Sequence, residues 1–181
     1  MLRTRLERVF LVMGVDEMSR EVFERNNEGS YRVRGLVRPE EIVAMASSIL
    51  LHDLRGKEAL TNPTDAASFL QVQLAGEEEE VFSVLYLDSK HRLLAYERLF
   101  YGTIDAATVY PRVVVKRSLH WNAAALILAH NHPSGIAEPS QADKGITNRL
   151  KDALSLIDVK VLDHIVVGVE GWCSMAERGW L

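Results

Sequence analysis

The segment His130-Asn131-His132 closes an apolar run, and it restricts the fold more than any other feature of this sequence. The run at residues 125–129 reads Ala-Leu-Ile-Leu-Ala, which predicts a buried strand, and Pro133 predicts where that strand stops. Because side chains at positions i and i+2 of a strand share one face, the two imidazoles point together while Asn131 points away. The end of this strand must therefore be accessible to whatever the histidines bind.

A helix is predicted to follow, from about residue 141 to 156, with Ser140 as its N-cap and Asp143 in its first turn, facing the histidines. Two neutral imidazoles and one carboxylate make three protein ligands, a number that leaves zinc a fourth position for water. Ser140 and Asp143 also fit a capping box, which on its own only ends a helix. The two roles are compatible, because one carboxylate oxygen can cap the helix while the other binds a metal. We therefore interpret His130, His132 and Asp143 as a metal site.

The pattern H-x-H followed by S-x-x-D resembles the JAMM motif of JAB/MPN-type zinc metalloproteases and isopeptidases. The longer string HNHPSG…PSQAD is similar to the RadC branch of these proteins, and the resemblance covers roughly residues 60–181. Further segments similar to RadC-like sequences lie at residues 102–104, 109–112, 161–164 and 176–180.

The resemblance implies that His130, His132 and Asp143 are zinc ligands and that Ser140 hydrogen-bonds the zinc-bound water or the developing oxyanion. It also implies a three-layer α-β-α fold with a mixed sheet, the cytidine-deaminase-like fold of JAB domains. Zinc with one carboxylate and two neutral ligands keeps a charge near +1 and could lower the pKa of its water toward roughly 7. The implied reaction is hydrolysis of an amide or isopeptide bond in a protein or peptide substrate.

Glu80 is the proton acceptor that the resemblance implies. It stands where a predicted helix gives way to the strand at residues 81–87, as the catalytic glutamate does in JAMM proteins, and two residues before Phe82, as in RadC-like sequences. Taken alone, Glu80 reads as one more member of a solvated acidic run that starts at Glu77. Glu97, on the second predicted strand, is the reserve candidate. Glu80 would take a proton from the attacking water and deliver it to the departing amine.

The histidine ligands are also expected to need supporting hydrogen bonds, which Asp163 or His164 on the following strand could provide. A role as core or turn residues is an equally good interpretation of these two side chains.

Apolar periodicity predicts the remaining elements. Helices are predicted to begin near Arg38, Asn62 and Pro111, and strands to lie near residues 81–87, 93–100, 159–167 and 172–175. This alternation is typical of an α/β fold with a mixed sheet. Residues 1–60 are predicted to form a short helical N-terminal segment, and residues 61–181 a RadC-like JAB/MPN metalloprotease domain.

Charge and composition exclude several classes. Residues 1–60 hold ten basic and ten acidic side chains and residues 61–181 hold eleven and fifteen, so strong direct binding to nucleic acid is not expected. The sequence contains no apolar stretch near 18 residues and no signal-peptide pattern at its start, which predicts a cytoplasmic protein without a membrane segment. The single cysteine, Cys173, excludes an internal disulfide and the P-C-x-x-C ligand pair of zinc nucleobase deaminases.

The alternative to a hydrolase is a RadC-type factor associated with DNA repair or recombination, whose zinc site is structural or weakly active. Many relatives carry a helix-hairpin-helix module, but residues 1–60 contain no Gly-x-Gly hairpin that would supply it. The chain also departs from RadC-like sequences at Val113, where a glutamate is usual. On our assignment this change affects the start of a helix rather than the chemistry. The oligomeric state stays open.

Overall fold

The computed structural model describes residues 22–102 and 109–181, so residues 1–21 of the predicted N-terminal segment lie outside it. The chain divides into two compact units after His52. In the first unit, strands β1 (Phe23–Arg25) and β2 (Tyr31–Val33) pair in antiparallel fashion, and helix α1 (Pro39–Gly56) begins. The boundary predicted near residue 60 stays a prediction.

The β1–β2 hairpin lies within residues 1–60, where the sequence predicts a helical segment, so that prediction is wrong for the residues of the two strands. Each of its strands has three residues, which is too short to produce a recognisable alternation of polar and apolar side chains. Its turn is stabilised locally, because Asn26 Oδ1 accepts hydrogen bonds from the amides of Glu28 (3.0 Å) and Ser30 (2.8 Å). Gly29 supplies the positive φ of 84° that this turn requires.

The second unit alternates helices and strands as predicted. Its elements are α2 (Pro63–Leu74), β3 (Val81–Leu87), β4 (Leu93–Tyr101), α3 (Pro111–Trp121), β5 (Ala125–Asn131), α4 (Gln141–Ser155), β6 (Lys160–Val167) and β7 (Trp172–Ser174). The strands form one sheet in the order β4-β3-β5-β6-β7. Only β5 and β6 pair in parallel within this sheet, because α4 connects them as a crossover, so the sheet is mixed as predicted.

Helices cover both faces of the sheet, which confirms the three-layer arrangement. On one face, Val114 of α3 and Leu150 of α4 belong to the same buried cluster as Leu128 of β5. On the other face lies α2, whose Phe69 meets Tyr96 of β4 edge-on at a ring-centroid distance of 4.9 Å. In the part of the chain that the structure covers, no helix combines the length and hydropathy needed to cross a bilayer.

Helix α3 begins at Pro111, as predicted, although its first turn carries no acidic residue. Val113 therefore occupies that turn without the charge that would interact favourably with the helix dipole. Pro111 compensates in part, because its ring presets a helical φ at the first position. The buried Val114 then anchors the helix in the core.

The loop after His132 is held against the end of β6 by backbone contacts. The amide of His132 donates to the carbonyl of Val167 at 2.9 Å, and the amide of Val169 donates to the carbonyl of Gly135 at 3.1 Å. A Cβ atom on Gly168 would overlap that carbonyl oxygen of Gly135 and lie 2.9 Å from Ala137 N. Glycine is therefore required at position 168 for this close approach of two backbones.

We expect Gly168→Ala to lower the free energy of unfolding by about 1–3 kcal/mol, because the added methyl group meets backbone atoms that cannot turn aside. Gly145→Ala is the matched control: it lies in α4, and a Cβ there meets nothing within 4 Å. That control should raise the free energy of unfolding by up to about 1 kcal/mol through helix propensity. Urea denaturation measures both, and equal stability of the two variants would contradict the close approach.

Candidate metal centre

Three side chains converge at the carboxyl end of β5. His130 belongs to the strand and is 1% exposed, His132 follows the strand, and Asp143 comes from the first turn of α4. Their nearest ligand atoms all lie within 4.8 Å of one another. The Nε2 atom of His130 is 3.2 Å from Asp143 Oδ1, and the Nε2 atom of His132 is 3.4 Å from Asp143 Oδ2. This group could hold a metal ion.

A chain of buried hydrogen bonds determines which nitrogen of His130 faces the cluster. Thr147 Oγ1 donates to the carbonyl of Asp143 at 2.6 Å, so it must accept from His164 Nδ1, also 2.6 Å away. Burial lowers the pKa of His164 well below its usual value, so this ring is neutral and its Nε2 is an acceptor. That Nε2 lies 2.8 Å from His130 Nδ1, which must carry the proton. In a neutral His130 ring, Nε2 therefore carries the lone pair.

His132 has the same tautomer for a simpler reason. Its Nδ1 lies 2.8 Å from the backbone carbonyl of Ile136, which can only accept a hydrogen bond. Nδ1 therefore donates, and Nε2 faces the cluster with a lone pair whenever the ring is neutral. The pKa of His132 is raised, first by the hydrogen bond with Asp143 and in smaller part by the negative charge of Glu80.

Asp143 caps its helix as the sequence suggested, and its carboxylate also faces the two histidines. Its Oδ2 accepts from the amide of Ser140 at 2.6 Å, and Ser140 Oγ accepts from the amide of Asp143 at 3.1 Å, which closes the capping box. Burial alone would raise the pKa of Asp143, but the hydrogen bonds that His130 and His132 donate to it when protonated, together with the bond from Ser140, outweigh burial and lower this pKa far below the usual range. Asp143 is therefore an anion beside two imidazoles.

These donors fit a bound cation. The two Nε2 atoms lie 3.0 Å apart, and the hydrogen bonds of both rings leave a lone pair on each. Two lone pairs at that distance repel one another unless a positive charge lies between or in front of them. The anionic Asp143 on the third side adds to the demand for positive charge. Neutral imidazoles with a carboxylate are a donor set that divalent transition-metal ions prefer.

The two glutamate candidates occupy different places. Glu80 lies half-buried directly before β3, whose Phe82 pairs with His130 across the strands. Its negative charge contributes in small part to raising the pKa of His132. Glu97 is buried on β4, where Arg117 Nε donates to its Oε2 at 2.7 Å in an ion pair. Glu97 therefore balances the charge of Arg117, and the role of Glu80 as proton acceptor stays a prediction.

His164 and Asp163 are both buried, with different contacts. His164 supports His130 as described above, whereas Asp163 accepts hydrogen bonds from Ser174 Oγ (2.6 Å) and the amide of Ala176 (3.0 Å). Asp163 therefore holds the chain after β7 and has no contact with the cluster. Of the two candidates for a supporting hydrogen bond, Asp163 and His164, it is His164 that bonds a histidine of the cluster.

Asn131 is the residue at this site whose contacts the sequence did not predict. It lies between the two histidines, is 2% exposed and points to the opposite face of the sheet. Its side chain hydrogen-bonds the segment at residues 77–81, which contains Glu80. A polar residue inside a strand that is otherwise buried was the available signal, because such a side chain needs partners.

Comparisons with known proteins agree with this geometry. The family model described as RadC-like JAB domain matches residues 60–180. The chain is 50% identical over 167 residues to a UPF0758 protein of Vibrio vulnificus strain YJ016, covering 90% of this chain and 75% of that protein. It is 56% identical over 142 residues to a UPF0758 protein of Stutzerimonas stutzeri strain A1501, covering 78% of this chain and 63% of that protein.

Proposed function

This chain belongs to the RadC-like JAB domain family, and from that membership we propose that it is a zinc-dependent hydrolase of amide or isopeptide bonds. The observation that supports the proposal is the convergence of two imidazole Nε2 atoms and one carboxylate on a common point. Protein or peptide chains are the substrate class that we propose.

Zinc is the ion that we propose for the cluster. Three protein ligands of this kind are typical of catalytic zinc sites, in which one coordination position stays open. When bound, the ion would polarise a substrate carbonyl and make water acidic enough to ionise near neutral pH. His164 and the carbonyl of Ile136 would keep His130 and His132 in the tautomer that presents Nε2.

Glu80 is the residue that we propose as proton acceptor. A general base must reach the water that attacks the carbonyl, and Glu80 directly precedes β3, whose Phe82 pairs with His130. In the proposed reaction its carboxylate takes the proton of that water and then donates it to the nitrogen that leaves. Because Glu97 is paired with Arg117, it is not free for this exchange.

Ser140 is the residue that we propose to stabilise the oxyanion. Its Oγ accepts the hydrogen bond from the amide of Asp143, so its own hydroxyl hydrogen is available to donate elsewhere. The side chain is exposed, which gives a substrate access to it. A donor aimed at a developing oxyanion typically contributes about 3–4 kcal/mol to lowering the barrier.

The proposed function is tested by offering the zinc-loaded protein a library of peptides and lysine-isopeptide conjugates. We expect cleavage that a chelator stops and added zinc restores, and that His132→Ala abolishes, with mass spectrometry identifying the new amine and carboxylate ends. Binding to duplex DNA should stay in the nonspecific range of about 10⁻⁴–10⁻⁶ M. Nanomolar, sequence-selective DNA binding together with no cleavage would overturn the proposal in favour of a DNA-associated role.

A further inference from the structure

All three hydrogen bonds of the Asn131 side chain go to one short segment, residues 77–81. Its Oδ1 accepts from the amide of Val81 at 2.8 Å, and its Nδ2 donates to the carbonyls of Glu79 at 3.0 Å and Glu77 at 3.3 Å. These partners are 50 to 54 residues away in sequence, so the contacts are tertiary. The residue that lies between the bonded positions 79 and 81 is Glu80.

The segment at residues 77–81 needs such an anchor. Four consecutive glutamates repel one another, and a run of like charges favours an extended, solvated chain. Two other contacts hold the ends of the segment: Arg98 pairs with Glu77 at 2.7 Å, and the amide of Gly102 donates to the carbonyl of Glu80 at 2.8 Å. Asn131 alone among these contacts comes from the strand that carries the histidines.

Side chains on both faces of strand β5 therefore make contacts at the site. The side chain of His130 leaves one face toward the cluster, and the side chain of Asn131 leaves the other face toward the backbone of the acidic run. Because neighbouring residues on one strand are rigidly connected, a displacement of the histidines also displaces the segment of Glu80. Only a side chain with both an acceptor and two donors can make all three bonds.

We propose that Asn131 is a positioning residue that holds Glu80 at the metal centre, an inference that rests on the proposed function for the role of Glu80. Asparagine at the middle of His-Asn-His thereby couples the position of the proton acceptor to the position of the ligands. Aspartate at this position could accept from Val81 but not donate to the two carbonyls, and alanine could do neither.

The anchoring itself is tested by amide hydrogen exchange in the metal-free protein. We expect Asn131→Ala to speed exchange of the two hydrogen-bonded amides of this segment by about tenfold or more, with little change in α4 or β6. These are the amide of Val81, which donates to Asn131 Oδ1, and the amide of Glu77, which donates to the carbonyl of Leu74. Ser118→Ala is the matched control, because Ser118 is also fully buried and loses one hydrogen bond, but within α3. Unchanged exchange of both amides, or a rise spread evenly over the domain as a loss of global stability would give, overturns the proposal.

The coupling to Glu80 is tested on the zinc-loaded protein with acetohydroxamic acid, which loses its N–O–H proton when the anion binds a metal and binds more tightly where a nearby carboxylate takes up that proton. We expect Asn131→Ala and Glu80→Gln each to weaken its binding by about tenfold or more. Because Asn131 acts through Glu80, the double variant should bind no more weakly than Glu80→Gln alone. Additive losses would overturn the proposal.

Asn131→Asp keeps the test decisive if Asn131→Ala does not fold. It should keep the amide of Val81 protected while it speeds exchange of the amide of Glu77, and it should weaken hydroxamate binding like the alanine variant. Unchanged exchange of the Glu77 amide in Asn131→Asp would count against the proposal. The exchange experiment needs no metal and no substrate, so its outcome does not depend on the proposed function. Failure of the proposed function would instead appear as wild-type protein that binds zinc without hydrolysis.

Discussion

Asp143→Asn is expected to lose most of the zinc that the wild-type protein carries, which should be about one ion per chain. The amide oxygen of asparagine can still accept from Ser140, so the helix cap is largely kept while the negative charge is removed. The loss would therefore report on metal binding rather than on folding. His132→Ala should lose the ion as well, because it removes one of the two Nε2 donors.

Elemental analysis of protein purified without chelator measures the zinc content. His120→Ala is a suitable control, since this histidine is exposed in the last turn of α3 and does not belong to the cluster. It should keep the full zinc content, with circular dichroism confirming that all variants fold. Equal zinc in the wild type, Asp143→Asn and His132→Ala would exclude the proposed site.

Glu80→Gln is expected to lower the rate of hydrolysis by at least about a hundredfold while zinc content stays the same. Glutamine keeps the size of glutamate and can still donate and accept hydrogen bonds, but it cannot take up a proton. The rate should therefore fall in kcat, because the proton transfer belongs to the transition state rather than to substrate binding.

Glu79→Gln is the matched control for this change. It removes the same charge from the neighbouring residue, which is exposed, and it should keep nearly the full rate. Normal turnover by Glu80→Gln would show that Glu80 is not the proton acceptor. If Glu97→Gln instead lost activity with its zinc and fold intact, the role would pass to Glu97 despite its pairing with Arg117.

The helices and strands of the second unit could be predicted because local signals are strong there. The apolar runs of β3 and β5 are buried along their whole length, and α2, α3 and α4 start at residues with clear capping or proline signals. The β1–β2 hairpin could not be predicted, because three-residue strands contain too few positions for a periodic pattern.

The cluster of His130, His132 and Asp143 could also be predicted, because its geometry is mostly local. A two-residue spacing on a strand aligns the imidazoles, and the third position of a capped helix turns the carboxylate back toward the helix start. The hydrogen bonds around the cluster were not predictable in the same way. His130 bonds to His164, which bonds in turn to Thr147, and pairing of β5 with β6 and packing of α4 on the sheet bring these residues together.

The sequence by itself therefore determined the fold class, the order of the elements in the second unit and the three side chains that could bind a metal, because short-range periodicity and capping encode all of these. Only the tertiary structure revealed that Glu97 pairs with Arg117, and only it revealed Asn131 as the contact between β5 and the acidic run. Both depend on residues at least 20 positions apart, whose approach is governed by strand order and packing rather than by local pattern.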